Sequence, residues 1–203
     1  MPIPGKGRCL WVTCLLSFGA VTPSEATVVR AIALNELVAA SDAVVIATAT
    51  QARSHYAYVG SARRVVTDTE LQVEQVVFTK PKQAADEEAW VLSVRSSGGI
   101  VGDLVYHVYG EAMLTKGARC LLFLRKGADG YHHVTGRAQG EYRLAPDDRD
   151  ARAGWVLHPS RGLDAVLNAE RSAVRVLAGR SFGQAADLIL QVATQSGQLR
   201  GVS

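Results

Sequence analysis

Five histidines, a serine pair ahead of two glycines, an acidic strand face, one cysteine in an apolar run and six tyrosines are the side chains here whose types can do chemistry. The histidines are His55, His107, His132, His133 and His158. None stands in a His-x-x-x-His spacing, which on a helix would turn two imidazoles toward one metal. His132 and His133 are neighbours, so in a strand they face opposite ways and cannot share an ion. No metal site is expected. Ser96-Ser97 precede Gly98-Gly99, with Asp103 nearby; an oxyanion loop uses such residues, but a tight turn explains them without chemistry. The chain has no Gly-x-Ser-x-Gly elbow. Gly98-Gly99-x-x-Gly102 lacks the βαβ surroundings of a dinucleotide site. Asp68, Glu70 and Glu74 share one side of a strand and read as a solvated face, because general acid–base work needs a desolvated or coupled carboxyl. No catalytic residue and no cofactor is expected.

The tyrosines lie at 56, 58, 106, 109, 131 and 142. Tyr58, Arg95, His107 and Tyr109 are the candidates for a surface platform, since aromatic rings and a guanidinium suit stacking on a sugar or base. Cross-strand packing is the competing use of the same residues. Cys120 sits in the run Cys120-Leu121-Leu122-Phe123-Leu124 and reads as a buried thiol acting as a small hydrophobe.

These candidates need elements to position them. Of the 203 residues, 48% are hydrophobic and 20% charged, enough for a packed core. Residues 1–26 carry Lys6 and Arg8, then a largely apolar run over 10–21, then Pro23 and small residues at Ser24 and Ala26. That is the pattern of a secretory signal peptide cut after Ala26. The apolar run is shorter than the roughly 20 residues of a membrane span, so no stable insertion is expected after cleavage. Lys6, Arg8 and Glu25 would leave with the leader, lowering the formal charge from +3 to +2. Such a charge makes no electrostatic case for nucleic acid. Cys9 and Cys14 would leave too, so Cys120 has no partner for a disulfide.

In the remaining chain, Leu34, Leu37 and Val38 predict a short helix with Asn35 as its cap. Residues 43–48 read as a strand, and 53–60 as a turn or strand end. Residues 65–78 alternate most clearly, with Thr67, Thr69, Leu71 and Val73 opposite Asp68, Glu70, Gln72 and Glu74. Residues 79–89 read as an exposed loop containing Asp86-Glu87-Glu88. Further strands are predicted over 90–95, 104–109, 119–125, 131–135 and 141–144, with one more possible at 155–157. Turns are predicted at Gly98-Gly99, Lys116-Gly117 and 127–130. The period of two implies an antiparallel sheet with every strand dry on one flank and wet on the other. From Leu163 the spacing turns helical: Val166, Leu167, Val174 and Leu177 share its face, and Gly179 stops it. Ser181 and Gln184 resemble a capping box opening a second helix through Thr194, with Phe182, Ala186, Ile189 and Ala193 on one face.

The run 37–45 (Leu-Val-Ala-Ala-Ser-Asp-Ala-Val-Val) resembles the opening of a group of small secreted bacterial proteins, in which a helix ending in Ser-Asp precedes the first barrel strand. Gly98-Gly99, Gly110, Gly117-x-x-x-Leu121-Leu122-Phe123-Leu124 and Gln139-Gly140 resemble the same group. The likeness covers about residues 34–144. Such proteins look similar to the OB-like barrel of netrin-like and metalloproteinase-inhibitor modules, and the resemblance implies a fold without an activity. Those inhibitors begin with a disulfide-tethered cysteine. The mature terminus expected here is Thr27-Val28-Val29, so their mechanism does not transfer.

The expectation is therefore a mainly β (α+β) protein: a signal peptide over 1–26, a small antiparallel OB-like β-barrel domain over 27–158 with a short leading helix, and a C-terminal helical extension over 159–203. Its expected role is that of a secreted or periplasmic, non-enzymatic module binding a protein or glycan. The alternatives are a netrin-like protease inhibitor presenting a loop at 51–64 or 79–89, and a hydrolase built on Ser97 or the histidines.

Overall fold

The computed structural model describes residues 30–81, 91–147, 154–161, 163 and 169–198. Residues 1–26 (the expected signal peptide), Thr27, the acidic triplet at 86–88, Trp90, Val166 and Leu167 lie outside the described residues. In chain order the elements are α1 (Leu34–Ala40), β1 (Ala43–Val59), β2 (Ala62–Thr79), β3 (Val91–Ser97), β4 (Gly99–Val101), β5 (Leu104–Tyr106), β6 (Arg119–Lys126), β7 (His132–Val134), a 3₁₀ turn (Arg137–Gly140), β8 (Glu141–Pro146), β9 (Trp155–Pro159), α2 (Ala173–Leu177) and α3 (Phe182–Gln195). The protein is mainly β. None of the helices described is long and apolar enough to cross a membrane.

The strands are organised by two uninterrupted apolar runs, 43–47 in β1 and 120–124 in β6. They pair antiparallel, Ala43 opposite Leu124 through Ala47 opposite Cys120. β1 also pairs antiparallel with β2 along its length, and β2 with β3. β3 meets β7 in parallel at Val94 and His132, and β7 returns antiparallel to β6. The pairings thus run from β1 back to β1, while β8 and β9 extend the sheet beyond β6. β4 and β5 form a separate hairpin.

Successive side chains of β1 and β6 enter different apolar clusters, because a strand alternates its faces. Val45, Ala47, Leu122 and Leu124 join Leu71, Val73, Leu92 and Val94 inside the circuit. Val44, Ile46, Leu121 and Phe123 face outward, where Leu37 and Val38 of α1 and Ala185, Ile189 and Ala193 of α3 cover them. The expected wet flank on every strand is therefore wrong for these two. Their continuous apolar runs are the signature of burial on both faces. β2 behaves as expected: Thr69, Leu71 and Val73 are buried while Glu70, Gln72 and Glu74 are exposed. Phe78, on the same side of β2 as Glu70, Gln72 and Glu74, lies opposite Val44 and is buried in the outward cluster.

Other local readings change. Asn35 lies inside α1; the helix starts at Ala33, which bridges to Ser172, and has no side-chain cap. Residues 53–59 continue β1, and the turn is at Gly60-Ser61, with Gly60 at φ 62. Only 104–106 of the predicted strand 104–109 are extended, and all three are exposed. Residues 169–171 form a turn, so the described helix begins at Ala173, capped where Ser172 Oγ accepts from Arg175 N–H. The capping box of Ser181 and Gln184 is present. The buried stripe of α3 runs through Ala185 rather than Ala186.

Ser41, Asp42, Gln139 and Gly140 act as joints. Ser41 Oγ donates to Leu37 O at 2.7 Å. Asp42 accepts from Lys126 N–H at 2.9 Å through its carboxylate and donates its own N–H to Leu124 O at 2.7 Å. Gln139, buried, accepts from Ile32 N–H and donates to Arg30 O, each at 2.9 Å. A Cβ on Gly140 would fall 2.0 Å from Thr135 O. Replacing Gln139 with Leu strands the Ile32 N–H and the Arg30 carbonyl, and should cost about 1–3 kcal/mol of unfolding free energy in a urea titration.

Candidate functional site

Beyond Val66, β2 no longer pairs with β3, and the β1–β2 hairpin continues as an arm of about 14 Å to its turn. The β4–β5 hairpin lies against the base of this arm. Gly98 and Gly99, at φ 92 and 136, allow that approach. A Cβ on Gly99 would lie 2.3 Å from both Ser54 Oγ and Thr67 Oγ1. The glycine pair is thus not the hairpin turn, which falls at Gly102-Asp103; it is the point of close passage. Thr67 Oγ1 donates to Gly98 O at 2.7 Å, so its 2.9 Å partner Ser54 must donate to it.

A cavity of about 330 Å³ opens between this hydroxyl-bearing floor and the segment that runs from β5 toward β6. Ser54, Thr67, Thr69 and Ser96 supply the floor; Val105, Val108 and Met113 are among the apolar wall. Ser97, His107 and Glu111 line it as well. Among these described cavity residues no hydrogen bond joins Ser97 to His107 or His107 to Glu111; Glu111 accepts from Ala112 N–H instead. At the rim, Tyr56 and Tyr106 bring their hydroxyls to 3.3 Å with rings edge to face, and the Arg63 guanidinium lies 4.3 Å from the Tyr56 ring centre. The hydrogen bond to Tyr56 raises the Tyr106 phenol above its ordinary value.

Of the four platform candidates, the contacts described join only His107 and Tyr109, with ring centres 6.5 Å apart. Arg95 is committed elsewhere. It forks onto Asp68 at 2.7 and 2.8 Å and stacks 3.6 Å from the Tyr131 ring centre. The bond to Asp68 holds its guanidinium above the ordinary value. Tyr58 lies on the arm opposite Arg63, about 17 Å along β1 from Arg53, the strand partner of Asp68. Periodicity pointed to aromatics in strands without telling which would meet. The pair that does meet, Tyr56 with Tyr106, depends on β5 folding onto the arm, and no local pattern encodes that. His133 bonds Asp129 at 3.0 Å. Cys120 is buried, and burial pushes its thiol up to about 12.

One buried carboxylate holds the cavity wall. Glu141 Oε2 accepts from Met113 N–H at 2.8 Å and from Ser160 Oγ at 2.6 Å. Burial raises its pKa above the ordinary 4.5, and these two bonds oppose the shift. Sequence reading took Glu141 only as the start of a strand. Comparison of the chain with models of known protein families and with curated proteins finds no match.

A raised carboxyl pKa means that the folded state binds its proton more readily than the unfolded chain. The stability due to Glu141 is then greatest below pH 4.5 and declines as pH climbs through its folded value. Glu141→Gln should flatten that part of the profile, measured as urea midpoints between pH 4 and about 8.

Proposed function

We propose that this protein is an exported, non-enzymatic binding module whose closed sheet is an OB-like barrel of the netrin-like kind, and that it recognises a partner protein through the β4–β5 finger and the segment after it. One observation carries the reading. Half of the large hydrophobic residues exposed among those described fall within 100–113: Ile100, Leu104, Val105, Tyr106, Val108, Tyr109 and Met113. So dense a run of apolar surface on one short projection marks an interaction site. The parallel β3–β7 contact and the return of pairing to β1 support the barrel. The leader-like residues 1–26 support export to the periplasm or beyond.

Binding is favoured over hydrolysis because Ser54 and Thr67 are engaged within the frame and Ser97, His107 and Glu111 form no hydrogen-bonded relay among the described residues. Ser54 serves Thr67, and Thr67 serves Gly98 O. A glycan ligand has its own support in that hydroxyl floor beside the Tyr56–Tyr106 edge. An inhibitor reading would use the arm tip at 59–62, where Val59 is exposed.

The test is affinity capture from an envelope extract of the native host, with the wild-type chain and a Val105→Asp/Tyr106→Ala variant. Both side chains are exposed, so the variant should melt within a few degrees of wild type. Species retained by wild type should be lost by the variant about tenfold or more. Equal retention by both chains would overturn the finger as the recognition element.

A further inference from the structure

The segment that lends His107 and Val108 to the cavity described above lends Tyr109 and Gly110 to a second one, of about 370 Å³. This cleft lies between residues 30–32, the end of β6 and the corner after β7. Arg30, Arg125 and Arg137 line it, and no carboxylate does among the described residues. Arg30 is paired with Glu36 at 2.9 Å. The side chains of Arg125 and Arg137 make no hydrogen bond or ion pair among the described residues.

Arg137 is also the only non-glycine residue described with a left-handed backbone, at φ 57. Glycine takes that conformation freely, and the preceding Gly136 does so at φ 69. A long cationic side chain therefore sits where backbone preference alone would place glycine. Its corner is fixed. Ala138 N–H donates to Gly110 O at 3.0 Å, beside Tyr109, and the Gln139 carboxamide is spent on residues 30 and 32.

We infer that this cleft binds a small acidic sugar derivative, with Arg125 and Arg137 gripping its carboxylate or phosphate and the Tyr109 ring facing the sugar. Two guanidiniums without a described partner line one cleft, a setting that favours an oxyanion. Their planar forks match the paired oxygens of either group. The cleft shares Tyr109 with the surface proposed above, but Arg125 and Arg137 lie outside residues 100–113, so neither inference needs the other.

Calorimetric titration of the full chain with glucuronate, glucose 6-phosphate and glucose tests it. At least one of the two anions should bind while glucose does not. Raising NaCl to about 0.5 M should weaken binding. Tighter glucuronate binding assigns a carboxylate; tighter glucose 6-phosphate binding assigns a phosphate. Arg125→Gln and Arg137→Gln should each weaken the preferred anion about tenfold. Arg137→Gly should weaken it equally with a Tm no lower than wild type, because it relieves the backbone. Glucose binding as tightly as the anions, unchanged affinity in Arg137→Gly, or no heat from either anion at about 10 mM would overturn the inference.

Discussion

The seam between β1 and β6 carries the rest of the molecule. Each run is apolar at every position from 43 to 47 and from 120 to 124, so pairing them creates a ribbon with no face fit for water. One face is sealed by the strands of the pairing circuit, the other by α1 and α3. The two clusters share a backbone and little else. A helix removed from the outside would expose Val44, Ile46, Leu121 and Phe123 to solvent, so the C-terminal helices are part of the core that β1 and β6 begin.

Against that dry seam, the functional surface is assembled from parts tolerant of water. The β1 strand leaves the core after Ala49 and becomes one side of an arm whose residues are largely exposed. The β4–β5 finger is held to the arm through the glycine pair and the Ser54–Thr67 hydroxyls. The wall behind it is held by Glu141, whose carboxylate reaches out of the sheet to Met113 N–H. The strand that supplies Glu141 pairs with β6 at Leu122. Glu141 is thus one of the ties through which the seam positions the cavity wall, beside the bonds of Gly110 to Ala138 and of Gly117 to Ala49.

The sequence showed much of the frame. Alternation over β2, the Ser181–Gln184 box and the turn at 127–130 could be read because each is specified by neighbours a few residues apart. The double burial was legible as well, in the unbroken apolar runs, although an alternating pattern elsewhere invited a wet flank for every strand. The site was not legible in the same way. Arg95 looked like a free stacking group because its partners, Asp68 and Tyr131, come from other strands. Tyr56 and Tyr106 meet only after a chain reversal, and Arg137 gains its interest from a backbone angle that no residue pattern announces. Gln139 stands in no local pattern that announces its role, because its bonds go to residues 30 and 32, far off in sequence.

Those bonds bear on how the chain reaches its shape. The segment 30–32 is tied to Gln139, and Ile32 O accepts from Ala173 N–H at 2.7 Å. The earliest part of the described chain therefore waits for some of the latest before its own backbone groups are matched. Helix α1 packs on Val44 and Ile46 of β1 nearby in the chain, but its cover is completed only by Leu121 and Phe123 of β6 and by α3. Contacts of such long separation are slow to form and leave apolar strands uncovered in the interim. The closure of 30–32 onto Gln139 and Ala173 thus joins segments more than a hundred residues apart.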